Sequence, residues 1–130
     1  MKKQSEPKPT NPPSPTPLAR EIYRRLVRRL RAHQTSITYG ELAAEVSREI
    51  PIHPRSPKLH AALGEVTAAC RARALPIVPA IVCRADTARP SDGYYKVAHP
   101  RSRSFKSAVA AWEQELARVI AHAEALPVRL

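Results

Sequence analysis

The sequence predicts a mainly α single domain with one small β-hairpin, in a winged helix-turn-helix-like order. Three observations predict it. Four segments carry apolar residues three and four apart, the spacing of one helix face. The stretch between the third and fourth of them is rich in β-branched and aromatic residues and is broken by an Asp-Gly. Prolines crowd the front of the chain and one inner connection. At 130 residues, with 43% hydrophobic side chains, the chain suits one domain with a real core.

Residues 1–17, "MKKQSEPKPTNPPSPTP", hold six prolines and almost no apolar side chain. Such a stretch cannot bury enough surface to offset chain entropy, so it is predicted as a disordered, polyproline-like tail. Residues 18–126 are predicted as the winged-helix-like domain. The first helix is expected over 18–33, where Leu18, Ile22, Leu26 and Leu30 recur every fourth residue and Val27 widens the stripe. Glu21 is placed to pair with Arg25 one turn on, and the other arginines find no partner within the helix.

The second helix is expected over about 39–49. Thr38 followed three residues later by Glu41 makes a capping box, and Leu42, Ala43 and Val46 form the inner face. Three prolines in "PIHPRSP" (51–57) forbid helix and stiffen the connection. The third helix is expected over about 57–74, capped by Ser56 with Pro57 in its first position. Gly64 inside it costs about 1 kcal/mol against alanine, and close approach of another element would account for it.

"PIVPAIVCR" (76–84) reads as a strand whose Pro79 favours an edge, and "YYKVA" (94–98) as its returning partner. Between them lies a polar loop ending in Asp-Gly, so the pair would make a wing. The last helix is expected over about 105–125, with Phe105, Val109, Trp112, Leu116 and Val119 on its core face.

The net charge of +11 attracts nucleic acid, an anionic membrane or an acidic protein surface. It is unevenly spread: residues 18–35 hold six arginines against one glutamate, and residues 76–104 are also basic. Cys70 and Cys83 sit among apolar residues and read as reduced core thiols, not a disulfide framework. The five histidines are scattered and show no zinc spacing, and three glycines are too few for a phosphate-binding loop, so no metal or cofactor is expected. With no apolar leader after Lys2 and Lys3 and no membrane-length apolar run, the expected location is cytoplasmic.

Several short stretches resemble one family. "ITYGELA" (37–43), "HAALG" (60–64), "PAIVCR" (79–84) and "DGYYK" (92–96), with Lys106 and Glu113, are similar to the winged-helix DNA-binding domain of O6-alkylguanine-DNA alkyltransferases and alkyltransferase-like proteins. The resemblance runs from about Arg20 to Glu113. Ala80 stands where that family carries its acceptor cysteine, Ile81 where it carries the activating histidine, and Ala61 where an arginine fills the gap left by a flipped base. Cys83 lies an odd number of positions on, which in a strand turns it to the other face. The resemblance implies a shared fold and DNA contact without alkyl transfer.

The expected function is therefore a non-catalytic DNA-binding protein, duplex favoured, with weak sequence preference. Thr38 and Tyr39 would meet a phosphate at the second helix's N-terminus. Lys58, His60 and Arg71 would line the groove-facing helix, and Arg24, Arg28, Arg84, Arg89, Lys96, Arg101 and Arg103 would hold the backbone. The alternative is a regulatory module whose basic surface binds an acidic protein partner.

Overall fold

The computed structural model describes residues 14–130, so most of the predicted tail, residues 1–13, lies outside the described residues. The chain is mainly helical, with α1 (Pro17–Arg31), α2 (Tyr39–Val46), α3 (Pro57–Ala72), α4 (Asp92–Ala98) and α5 (Phe105–Ala121). Two strands of two residues each, β1 (Ile37–Thr38) and β2 (Val82–Cys83), pair in parallel, Ile37 with Val82 and Thr38 with Cys83.

Each long helix starts at a side-chain cap. The Thr16 hydroxyl accepts the Ala19 amide at 3.3 Å, and Pro17 fills the first position, where a missing N–H costs nothing. Helix α1 thus begins one residue before its predicted start. Thr16 also reaches across to α3, its amide and hydroxyl donating to Glu65 at 2.9 and 3.3 Å. The capping box of α2 and the Ser56 cap of α3 both form.

Two of the helices end alike. Past α1, His33 takes a φ of 62°, its amide donates to Leu30 and the Gln34 amide donates to Arg29. Past α3, Ala74 takes a φ of 56°, with its amide on Arg71 and the Leu75 amide on Cys70. These are Schellman closures built without glycine.

One core joins the elements. Ile22, Leu26 and Leu30 of α1, Leu42 and Val46 of α2, Leu59, Leu63 and Val66 of α3, and Val119 of α5 are all buried in it. Burying each leucine or isoleucine contributes roughly 1.5–3 kcal/mol. Trp112 anchors α5 as expected: it is buried and its indole N–H donates to the Ala80 carbonyl at 2.8 Å.

Several expectations need correction. The β-hairpin over 76–98 is absent among the described residues. Val78–Ile81 is instead a 3-10 turn with Pro79 in its first turn, and the ring that bars proline from a central strand suits that position. Residues 94–98 belong to α4, which buries Tyr94, Tyr95 and Ala98 together. A strand would have turned one of the adjacent tyrosines outward. Gly64 has no neighbouring element: a Cβ built there meets nothing within 4 Å. Phe105 is 58% exposed and leaves the core to Ala108 and Trp112. The last helix ends at Ala121, followed by a 3-10 turn over Ala123–Ala125.

Candidate nucleic-acid interface

The parallel β pair carries Thr38 beside Cys83 and so brings the start of α2 against the segment leading into α4. Tyr39 fills the junction. Its hydroxyl bonds the Ser91 hydroxyl at 2.8 Å and accepts the Ser91 amide at 3.0 Å. Its ring packs against His60 in the first turns of α3, with centroids 5.2 Å apart. Tyr39 therefore ties three helix starts together, and its hydroxyl is spent inside the chain.

Thr38 is also committed. Its hydroxyl accepts the Glu41 amide at 3.1 Å, and its own amide donates to the Glu41 carboxylate at 2.9 Å. That backbone hydrogen bond, with the Thr38 hydroxyl, holds the Glu41 carboxyl below its usual range, so a negative charge already occupies the α2 N-terminus. The Thr38–Glu41 box is the one the sequence predicts, and it leaves Thr38 little to offer a phosphate; the partner of Tyr39, Ser91, 52 residues away, gives no signal in the sequence.

The outward face of α3 carries Ala61, Ala68 and Ala72 exposed and Gly64 half-exposed, a strip of helix with almost no side chain. Polar side chains stand at its edges. Lys58 and His60 are exposed near the N-terminus, and Arg71, also exposed, donates to the Val97 carbonyl at 3.1 Å. Beyond Cys83 the chain folds tightly: the Arg84 amide donates to the Arg89 carbonyl at 2.8 Å, and Ala88 takes a φ of 58°. Arg84 is exposed and paired with Asp86 at 2.8 Å, which neutralises part of its charge.

Arg89 lies over the Phe105 ring, 5.9 Å from its centroid, and Tyr95 meets the same ring edge-on at 5.7 Å. An exposed cation–π contact of this kind is worth about 0.5–1 kcal/mol. It gives the exposed Phe105 ring two neighbours outside the core. Lys96 borders an open hollow of about 370 Å³, together with Asp92, Ser102, Ser104 and Phe105. The buried Tyr95 hydroxyl beside it has no hydrogen-bond partner among the described residues. Arg101 and Arg103 are exposed in the connection from α4 to α5.

Arg24 and Arg28 do not join this surface. They lie on the side of α1 opposite Ile22, Leu26 and Leu30, the face turned toward the core that α1 shares with α3. Arg24 bonds Glu21 at 2.8 Å, a partner the sequence reading had assigned to Arg25 alone. Arg25 itself is 7% exposed, locked to Glu21 at 2.6 Å. Burial pushes the Glu21 carboxyl up, but the hydrogen bonds from Arg25 and Arg24 outweigh it and hold the group below its usual range. Arg29 reaches Glu45 on α2 at 2.7 Å.

Ala80 and Ile81 are each 1% exposed and present no reactive atom. Burial, and then the Glu41 charge, raises the Cys83 thiol above its ordinary value, the direction opposite to that of an activated thiolate. Cys70 is buried and its thiol is pushed up to about 11 by that burial. No group of three or more His, Cys, Asp or Glu among the described residues is placed to hold a metal ion. No described helix is long and apolar enough to cross a membrane. Comparison with known protein families, with curated proteins and with solved structures gave no match.

Proposed function

We propose that this is a non-catalytic DNA-binding protein of weak sequence preference, which lays α3 of a winged helix-turn-helix-like unit against a duplex. One observation carries the reading: α3 offers a bare outward strip, Ala61, Gly64 and Ala68, flanked by Lys58 and Arg71. A strip without side chains lets a helix seat deeply in a groove, and cations at its margins meet the phosphates. The same strip lacks the arginine, asparagine or glutamine forks that read base edges, which argues for weak preference.

Arg84, Arg89, Lys96, Arg101 and Arg103 supply further exposed cations next to the Tyr39 junction and the α4–α5 connection. The 84–91 segment takes the place a wing would have in this reading. The resemblance to alkyltransferase-like proteins supports the same contact. Alanine at position 80 and a Cys83 thiol pushed up by burial argue against alkyl transfer.

The test is fluorescence anisotropy on a labelled duplex of about 20 base pairs at several salt concentrations. The log affinity should fall with log salt at a slope of about −0.9 per phosphate engaged. Lys58→Ala and Arg71→Ala should each shrink that slope by about one contact. No binding at low salt, or a hundredfold preference between unrelated duplexes, would overturn the proposal in whole or in its claim of weak preference.

A further inference from the structure

We infer that the outer face of α1 and the segment 127–130 form a second docking surface, built for an acidic amphipathic helix of a partner protein. Arg20, Arg24, Arg28 and Arg31 line this face over about 16 Å, at 1.5 Å per residue. Val128, 62% exposed, stands at its middle. Hollows open on both sides of it. One of about 560 Å³ runs between Pro17, Ile50, Val128 and Leu130 under Arg20 and Arg24. The other, of about 440 Å³, has Val27, Ala32 and Val128 as its apolar floor under Arg28 and Arg31.

The segment that divides the hollows is fixed in place. The Tyr23 hydroxyl donates to the Pro127 carbonyl at 2.7 Å, and the Arg31 guanidinium donates to the Leu126 carbonyl at 2.6 Å. The floor is therefore formed before any partner arrives, which lowers the ordering cost of binding.

Charge and shape together select the occupant. Arg28 and Arg129 have no carboxylate partner among the described residues, and Arg20 and Arg31 spend their hydrogen bonds on neutral carbonyls. Guanidinium forks match carboxylates two bonds at a time. The hollows want apolar side chains, which a phosphate backbone does not have. A helix with apolar residues one or two turns apart and carboxylates on its flanks satisfies both demands. The chain's own first thirteen residues do not, because Lys2, Lys3 and Lys8 outnumber Glu6 there.

The probe is a fluorescein-labelled peptide of about 18 residues, with leucine along one helical face and glutamate on the others. Its control replaces every leucine by serine. The leucine peptide should bind about tenfold or more tighter than the serine peptide, and Val128→Asp or Arg28→Glu should each weaken it about tenfold. Both substitutions sit at exposed positions, and unchanged thermal melts confirm that the variants fold. Equal binding of the two peptides, or none, would overturn the inference. So would loss of duplex binding in the Arg28→Glu variant with displacement of the peptide by duplex, which would make this face a phosphate surface. The α3 reading fails separately, through Lys58→Ala and Arg71→Ala on duplex affinity alone.

Discussion

Replacing Gly64 by alanine separates what the fold needs from what a partner needs. In the middle of α3 a glycine costs about 0.8–1 kcal/mol relative to alanine, because it loses more backbone freedom on folding. A Cβ at Gly64 meets nothing within 4 Å, so no clash offsets that gain. The variant should be about 1 kcal/mol more stable, a rise in melting temperature of roughly 3–6 °C for a domain of this size. Urea denaturation reads it as a higher midpoint with an unchanged slope. Duplex affinity should fall if α3 docks as proposed, because the new methyl group stands on the strip that would seat against the groove. A less stable variant would refute the open environment assigned to Gly64. A more stable variant with unaltered duplex affinity would remove α3's outward face from the interface.

Three other measurements bear on the same molecule. Ala74→Gly should stabilise by about 0.5–1 kcal/mol, since alanine is strained at the left-handed φ of 56° that closes α3, and a thermal melt reads the shift. Tyr39→Phe removes the hydroxyl that Ser91 uses at 2.8 and 3.0 Å, and should cost about 1–2 kcal/mol in urea while leaving the salt slope of duplex binding unchanged; a smaller slope would mean that Tyr39 touches phosphate after all. Burial, then Arg71, holds the His99 imidazole below its ordinary value of 6.5 against the pull of Glu115, and the Tyr94 hydroxyl lies 3.0 Å from its ring nitrogen. The unfolded chain then binds the proton first, so stability should decline as pH falls below about 6.5. His99→Gln should flatten that decline between pH 7.5 and 5, measured as urea midpoints.

The long helices were legible because repetition and caps agree. Leu18, Ile22, Leu26 and Leu30 state the inner face of α1 without outside help, and Thr38 with Glu41 marks the start of α2. The region from 76 to 98 was not legible. Its apolar runs are too short for periodicity to separate a strand from a helical turn, and β-branched and aromatic content tipped the reading toward strand. Packing decided otherwise, by burying both Tyr94 and Tyr95. At the site, the cations were easy to count but their directions were not. The apolar stripe of α1 puts Arg24 and Arg28 on its outer face, but nothing in the sequence says that α3 packs on the other side. Nothing near Tyr39 in sequence announces Ser91. Arg25 reads as a surface charge until Glu21 is seen to carry it inside.

The short pairing of Ile37–Thr38 with Val82–Cys83 has a consequence for how the chain assembles. Its two strands bracket α2 and α3, so it closes a loop that contains both helices entire. Neither strand can find the other until those helices and the 3-10 turn at Val78–Ile81 have been placed, because the closure entropy is recovered only by contacts that already exist. The pairing is a latch and not a nucleus. Its amides should acquire protection from hydrogen exchange late in refolding and lose it early in unfolding, and opening it would release Tyr39 and the whole junction that faces the proposed duplex.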